Sequence, residues 1–115
     1  MAHCEGWWEQ AGFGRQSMES LMMRIDGDKI SGSGYDMVGM FRFEGTLAED
    51  QSVVMIKDYF DRHRVLYKGT YDGKCLMKGI WTLSFMKGPW EIRFRTAQGE
   101  GEEMAKKEAA PIGFF

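Results

Sequence analysis

Residues 64–85 read RVLYKGTYDGKCLMKGIWTLSF. Apolar, aromatic or small residues take every second place on both sides of Asp72-Gly73: Val65, Tyr67, Gly69 and Tyr71, then Cys75, Met77, Gly79, Trp81, Leu83 and Phe85. A period of two is typical of a strand with one buried face, and Asp-Gly readily adopts the positive φ angles of a tight hairpin turn. The stretch therefore predicts two antiparallel strands, 64–71 and 74–85, joined at Asp72-Gly73.

The same pattern extends in both directions along the chain. Further strands are predicted at 6–10, 17–25, 29–34, 36–47, 53–59 and 90–95, with turns at Asp26-Gly27-Asp28 and Lys87-Gly88-Pro89. Short connections favour antiparallel neighbours, and closure of the sheet removes the unpaired edges of so many strands. The sequence thus predicts an all-β fold: an eight-stranded antiparallel up-and-down (meander) barrel over residues 1–96.

Four glycines fall on the face that this pattern places inside the barrel, namely Gly39, Gly45, Gly69 and Gly79. Interior glycine marks a bend or a close approach of backbones, and in a barrel it also leaves space. Strong coiling of a small barrel and room for a ligand are both consistent with these positions.

Residues 97–115 are predicted to form a charged tail with an apolar end. Glu102–Lys106 and Glu103–Lys107 have the i,i+4 spacing of a helix, but a segment this short makes only a marginal one. The two aromatic residues Phe114 and Phe115 follow. A disordered end and docking of these residues on a barrel are the two alternatives.

Composition limits the partners and the compartment. The formal net charge is −2, and acidic and basic residues are interspersed. The sequence has no basic stripe that would indicate a nucleic-acid partner, and its charge does not steer it toward an anionic membrane. Two distant cysteines, Cys4 and Cys75, are expected to be free thiols. Residues 1–10 lack the features of a signal peptide, and no apolar run reaches the length of a membrane span, so we expect a cytoplasmic protein.

Several motifs resemble those of avidin-like proteins. These are Gly6-Trp7-Trp8-Glu9-Gln10 before a glycine loop, Ile30-Ser31-Gly32-Ser33-Gly34-Tyr35, and Gly79-Ile80-Trp81-Thr82-Leu83-Ser84-Phe85. The resemblance implies an eight-stranded barrel of the avidin or lipocalin kind, with a ligand in its open end and often a tetrameric assembly. Residues 32–45 also resemble an uncharacterised family with the pattern Gly-Ser-Gly-x-Asp-x-x-Gly-x-Phe-x-x-x-Gly.

Polar side chains on two neighbouring strands are the first candidates for a ligand site. If Lys57, Tyr59 and Tyr67 face inward, an ammonium and two phenols meet in an apolar cavity, as in many small-molecule sites. The strand 53–59 is apolar on both faces, however, so the opposite orientation, with Val54 and Ile56 inside, is also open. In the first orientation Lys57 can pair with a ligand carboxylate.

Trp8 and Trp81 complete the predicted ligand-binding set, because a tryptophan in a barrel mouth can stack on a ligand ring. Asp36 is expected to anchor a turn, or to pair with Lys57 or His63. An Asp–His pair without a placed nucleophile is poor evidence for catalysis, so no catalytic residue and no enzyme activity are predicted. Neither a metal site nor a cofactor is predicted, since no histidine and cysteine spacing matches a zinc site.

The opposite face of the strands is also apolar, through Val38, Met40, Val54, Ile56, Leu76 and Ile80. Exposed apolar surface of this extent is typical of an interface, so a homo-oligomer joined through the barrel wall is predicted.

Two functions stay open. The first is non-enzymatic binding of a small molecule in the barrel mouth, and the alternative is an oligomeric assembly or interaction module with a filled barrel. An open lumen favours the first and a plugged lumen the second.

Overall fold

A computed structural model of the chain describes residues 1–95 and contains eight antiparallel strands that close into a barrel in meander order. The strands are β1 (Ala2–Gln10), β2 (Gly14–Asp26), β3 (Lys29–Tyr35), β4 (Met40–Leu47), β5 (Ser52–Tyr59), β6 (Arg64–Tyr71), β7 (Leu76–Leu83) and β8 (Met86–Phe94). Each strand pairs with the next, and β8 pairs with β1 from Cys4↔Phe94 to Trp8↔Trp90. The predicted fold class is confirmed. The predictions for the tail lie outside the described residues.

The up-and-down order gives the barrel two unlike ends. One end, called here the β1–β2 end, is formed by the connections at residues 11–13, 36–39, 60–63 and 84–85. The opposite end, called the terminal end, is formed by residues 27–28, 48–51 and 72–75, and it is where β1 begins and β8 ends. Within residues 1–95, no helix has the length and hydropathy needed to cross a membrane.

Alternate side chains from every strand fill the barrel interior. Aromatic and long aliphatic residues such as Phe43, Met55, Tyr67, Met77 and Trp90 are almost completely inaccessible to solvent. An eight-stranded barrel has an interior that side chains can just fill or that can hold one small ligand. In the part of the chain described, side chains pack this space throughout.

The glycines on β6 and β7 are explained by close backbone approach. Gly69 and Gly79 pair directly across the two strands, and a Cβ built on Gly79 would lie 2.5 Å from the Cα of Gly69. A Cβ built on Gly45 would likewise lie 2.7 Å from the Cα of Met55. These three positions therefore permit tight coiling of the sheet and do not leave space for a ligand.

Gly39 differs from the other three, and its predicted place on an inner strand face is wrong. β4 begins only at Met40, so Gly39 and Met37 lie in the connection after β3. Gly39 has a φ of 150°, which favours glycine, and Met37 is exposed. The predicted strand 36–47 was too long because the alternation of its residues continues through this connection.

The last turn is also displaced from its predicted position. Ser84 and Phe85 form it, with Ser84 at a φ of 57°, whereas residues 87–89 belong to β8. Residues 86–89 are paired with β7 but lie beyond the last β1–β8 pair, so this stretch is locally an edge, where proline is tolerated. Phe85, which the pattern placed inside, is consequently 92 % exposed.

Candidate functional site

The carboxylate of Asp36 is the centre of a buried polar cluster just below the β1–β2 end. Three side-chain donors converge on its Oδ2 atom: Lys57 Nζ at 2.6 Å, Tyr59 Oη at 2.7 Å and Trp8 Nε1 at 3.0 Å. The other oxygen, Oδ1, accepts a hydrogen bond of 2.9 Å from the backbone N–H of Val38. We call Asp36, Lys57, Tyr59, Tyr67 and Trp8 the Asp36 cluster.

Local chain geometry brings Asp36 over the barrel interior. Residues 36–39 form a tight connection in which Asp36 and Gly39 exchange two backbone hydrogen bonds of 3.1 Å. Aspartate commonly accepts a bond from a backbone N–H two residues further on, and its bond from Val38 is of this kind. Because one oxygen is fixed by the turn, the other is directed at the donors below.

The strand register supplies those donors. On β5, Lys57 and Tyr59 lie on the inner face opposite Phe43 and Phe41 of β4. Tyr59 is the last residue of β5 and therefore lies directly beneath the connection that carries Asp36, with Lys57 one step deeper. The orientation of β5 that the sequence left open is thereby settled, with Lys57 inside and Val54 and Ile56 on the outer wall.

The ammonium of Lys57 is enclosed by aromatic rings. Its Nζ atom lies 4.2 Å from the ring centroid of Phe41, and 4.9 to 5.9 Å from those of Tyr59, Tyr67, Trp8 and Phe43. It also donates a hydrogen bond of 3.3 Å to the Tyr67 hydroxyl. Aromatic faces attract a cation, and this attraction is stronger when the cation has lost its water.

Burial and the ion pair shift the pKa values of the cluster. Burial lowers the pKa of Lys57 to about 8, although the adjacent Asp36 carboxylate acts in the opposite direction. Burial alone would raise the pKa of Asp36, but the charge of Lys57 and the hydrogen bonds to the carboxylate lower it below its ordinary value. Burial, reinforced by Asp36, raises the pKa of both Tyr59 and Tyr67. At neutral pH the cluster therefore holds one carboxylate, one ammonium and two neutral phenols.

Trp81 packs against the cluster without bonding to Asp36. Its ring meets that of Trp8 edge to face, with 6.0 Å between centroids, and its indole N–H donates to the carbonyl oxygen of Glu9 at 3.0 Å. The structure thus brings together all five residues that the sequence suggested for a ligand site: Trp8, Lys57, Tyr59, Tyr67 and Trp81. Each of them is at most 7 % exposed.

Asp36 is the central residue that the predicted set omitted. The sequence offered a turn anchor or a partner of Lys57 as alternatives, whereas the structure shows one carboxylate in both roles. Phe41 and Phe43 were not predicted as neighbours of Lys57, although their inner-face alternation on β4 was a usable signal. His63, the other suggested partner of Asp36, is exposed and its ring lies 5.2 Å from that of Tyr59.

Two concavities lie on the outside of the barrel wall, and no member of the Asp36 cluster lines either of them. One, of about 600 Å³, lies over β1, β2 and β8, and the other, of about 670 Å³, lies over β3 to β6. Among residues 1–95, no group of three or more histidine, cysteine or acidic side chains is placed to hold a metal ion. Cys4 and Cys75 are free thiols.

Comparison of the chain with protein-family models, with curated proteins and with solved structures found no match in any of the three. The fold assignment therefore depends on the barrel geometry itself.

Proposed function

We propose that the barrel binds a small carboxylate with an apolar body at the β1–β2 end, in the place that Asp36 occupies. The observation that carries this proposal is the convergence of three donors, from Lys57, Tyr59 and Trp8, on the single oxygen Oδ2. Charge-assisted hydrogen bonds to a carboxylate are about twice as strong as neutral ones, and the buried ammonium of Lys57 favours an anionic ligand over a neutral one because it needs a counter-charge. The role is that of a binding protein and not of an enzyme.

In this proposal Asp36 is an internal occupant of the site. It belongs to a four-residue connection at the barrel end, so a movement of residues 36–39 alone frees the three donors. A ligand carboxylate then takes the position of Oδ2, and its apolar body packs against Phe41, Trp81 and the residues left by the displaced connection. Such a ligand position corresponds to the open-end site that the avidin-like resemblance implies.

The test uses straight-chain carboxylates, namely acetate, hexanoate and decanoate, with hexanol and decanol as uncharged controls. In the wild-type chain, binding should raise the melting temperature and shift the NMR signal of the Trp8 indole N–H, for the acids only. Asp36→Ala removes the internal occupant and should bind acetate at least tenfold more tightly than the wild type. Acetate should also recover part of the stability that this variant loses.

Two results would contradict the proposal. In one, wild type and Asp36→Ala show no acid-dependent shift of the Trp8 signal. In the other, acids and matched alcohols act equally. If Asp36→Ala does not fold without acetate, refolding in acetate but not in an equal concentration of chloride gives the same information.

The filled lumen favours a second candidate, an oligomeric assembly module. Val54, Ile56 and Ile80 are each 39 to 47 % exposed on neighbouring parts of the outer wall. A second copy covering this wall would remove that apolar surface from water. Native mass spectrometry of the full chain reports the subunit number and any retained small molecule together, and a monomer without ligand at high concentration would contradict this candidate.

A further inference from the structure

The amine of Lys57 is a nucleophile, and the carboxylate site described above uses only its charge. A lysine that is desolvated in an apolar pocket gives up its proton more easily, and its neutral amine can then bond to a carbonyl carbon. Lys57 has this environment, because its side chain is 1 % exposed and five aromatic rings surround Nζ. Burial lowers its pKa to about 8, so about half of the molecules hold a neutral amine at pH 8.

The contacts of Nζ direct its reactive side toward the space that Asp36 occupies. Nζ donates to Oδ2 of Asp36 and to the hydroxyl of Tyr67, and it lies 4.2 Å from the ring centroid of Phe41. When the connection 36–39 moves away with Asp36, as in the proposed function, the first of these partners leaves. A neutral amine that keeps its hydrogens toward Tyr67 and Phe41 then points its lone pair into the vacated ligand site.

The distance between Nζ and Oδ2 fits one kind of carboxylate in particular. These two atoms are 2.6 Å apart. In the planar imine of a 2-oxo acid, standard bond lengths place the nitrogen about 2.7 Å from one carboxylate oxygen. An oxygen at the Oδ2 position also accepts the hydrogen bonds of Tyr59 and Trp8. A ligand carboxylate can therefore take the place of Oδ2 while the adjacent carbonyl carbon is bonded to Lys57.

We propose that the ligand is a 2-oxo acid with an apolar side chain and that it forms an imine with Lys57. This inference rests on the proposed function, because it uses the same site and the same movement of residues 36–39. The amine attacks the keto carbon and forms the C–N bond, and the C–O bond then breaks. The oxygen leaves as water with both amine hydrogens, so the step needs no oxidant or reductant.

Two features of the Asp36 cluster support this chemistry. The hydroxyl of Tyr67, 3.3 Å from Nζ, is placed to pass a proton between the nitrogen and the departing oxygen. Burial raises the pKa of Tyr67, so the hydroxyl keeps the proton that it passes on. The aromatic rings around Nζ also keep out the water that would hydrolyse the imine.

Reductive trapping with the full chain tests the inference. The protein is incubated at pH 8 with 2-oxohexanoate and sodium cyanoborohydride, whose hydride converts the imine into a stable secondary amine. Peptide mass spectrometry then locates the added acid. Lys57 should be modified at least tenfold faster than Lys68, an exposed lysine on the outer wall that serves as an internal control.

Three related compounds separate the contributions of the keto group and the carboxylate. Hexanoate has no keto group, and an excess of it should slow modification of Lys57 at least fivefold without affecting Lys68. The ketone 2-hexanone has no carboxylate, and 5-oxohexanoate carries its keto group far from the carboxylate. Both should modify Lys57 at least tenfold more slowly than 2-oxohexanoate does.

Two outcomes would overturn the inference: modification of Lys57 by 2-oxohexanoate no faster than that of Lys68, or equal modification of Lys57 by 2-hexanone or 5-oxohexanoate. The Trp8 NMR signal distinguishes this failure from failure of the proposed function. If hexanoate shifts that signal and no adduct forms at Lys57, the carboxylate site stands and the imine does not. If hexanoate has no effect and no adduct forms, both are wrong.

Discussion

The ammonium of Lys57 lies 2.6 Å from Oδ2 of Asp36, and neither side chain is more than 1 % exposed. Removing both charges from water is costly, and such a pair repays the cost only when its remaining hydrogen-bonding groups are satisfied. Here Tyr59 and Trp8 donate hydrogen bonds to the carboxylate, and the hydroxyl of Tyr67 accepts one from the ammonium. The pair is therefore both a structural element of the barrel and the proposed binding site.

Breaking the pair from either side should be strongly destabilising. Lys57→Met leaves a buried carboxylate and Asp36→Asn leaves a buried ammonium, and each should lower the free energy of unfolding by about 3–5 kcal/mol. The double variant should lose clearly less than the sum of the single losses, because neither charge then stands alone. Urea denaturation of the four proteins measures this coupling, and additive losses would contradict it.

Acid should weaken the barrel through Asp36. The pKa of this carboxyl is lower in the folded state than in the unfolded state, where it is about 4. Its contribution to the free energy of unfolding is therefore fully present above about pH 4 and is lost as the pH falls through the folded-state pKa. The stability difference between wild type and Asp36→Asn should therefore narrow between pH 5 and pH 2. Urea denaturation at several pH values measures it, and a constant difference over this range would count against the assignment.

Base should act in the opposite direction through Lys57. Its pKa is about 8 in the folded state, below the ordinary value of 10.5, so the unfolded chain holds this proton more tightly between these values. Stability rises with pH wherever the unfolded state binds more protons. Relative to Lys57→Met, the wild type should gain about 2 kcal/mol from pH 7 to pH 9.5. A flat or falling difference would show that the ammonium is not desolvated as described.

Much of this site could be predicted from the sequence, because inward apolar residues alternate with outward polar residues in most strands. Tyr67 and Trp81 were placed inside correctly, since the residues that alternate with them on β6 and β7 are mostly polar. The β5 strand gave no such signal, because Val54 and Ile56 are as apolar as their inward neighbours Val53 and Met55. Only the pairing of β5 with β4 decides that Lys57 points inward.

Other features had no usable signal in the sequence. Trp8 reaches Asp36 across 28 residues of chain, and this contact depends on closure of the barrel. The turn at Ser84-Phe85 has no glycine, asparagine or aspartate at its positive-φ position, whereas Gly88-Pro89 nearby is a typical turn dipeptide and is part of β8. The exposure of Phe85 could not be anticipated once that turn was misplaced.

The two free thiols should react at very different rates. Burial raises the pKa of Cys4 to about 12, so roughly one molecule in 10⁴ carries the reactive thiolate at pH 8. Cys75 is only partly buried, at the terminal end. Iodoacetamide followed by peptide mass spectrometry should label Cys75 well before Cys4, and in the Cys75→Ser variant labelling should require denaturant. Equal labelling of both residues in the native protein would contradict the buried position of Cys4.

The close approach of β6 and β7 predicts a severe effect for a single methyl group. In Gly79→Ala the new Cβ would meet the Cα of Gly69 at 2.5 Å and the carbonyl carbon of Lys68 at 2.7 Å, and backbone cannot rotate away as a side chain can. The two strands must separate locally, and overpacking of this kind typically costs about 1–3 kcal/mol. Lys78→Ala, at an exposed neighbouring position, should change stability by no more than about 0.5 kcal/mol. Thermal or urea unfolding compares the two variants with the wild type. If Gly79→Ala proves as stable as Lys78→Ala, the backbones of β6 and β7 do not approach each other as closely as described, and the space near Gly79 is larger than the structure indicates.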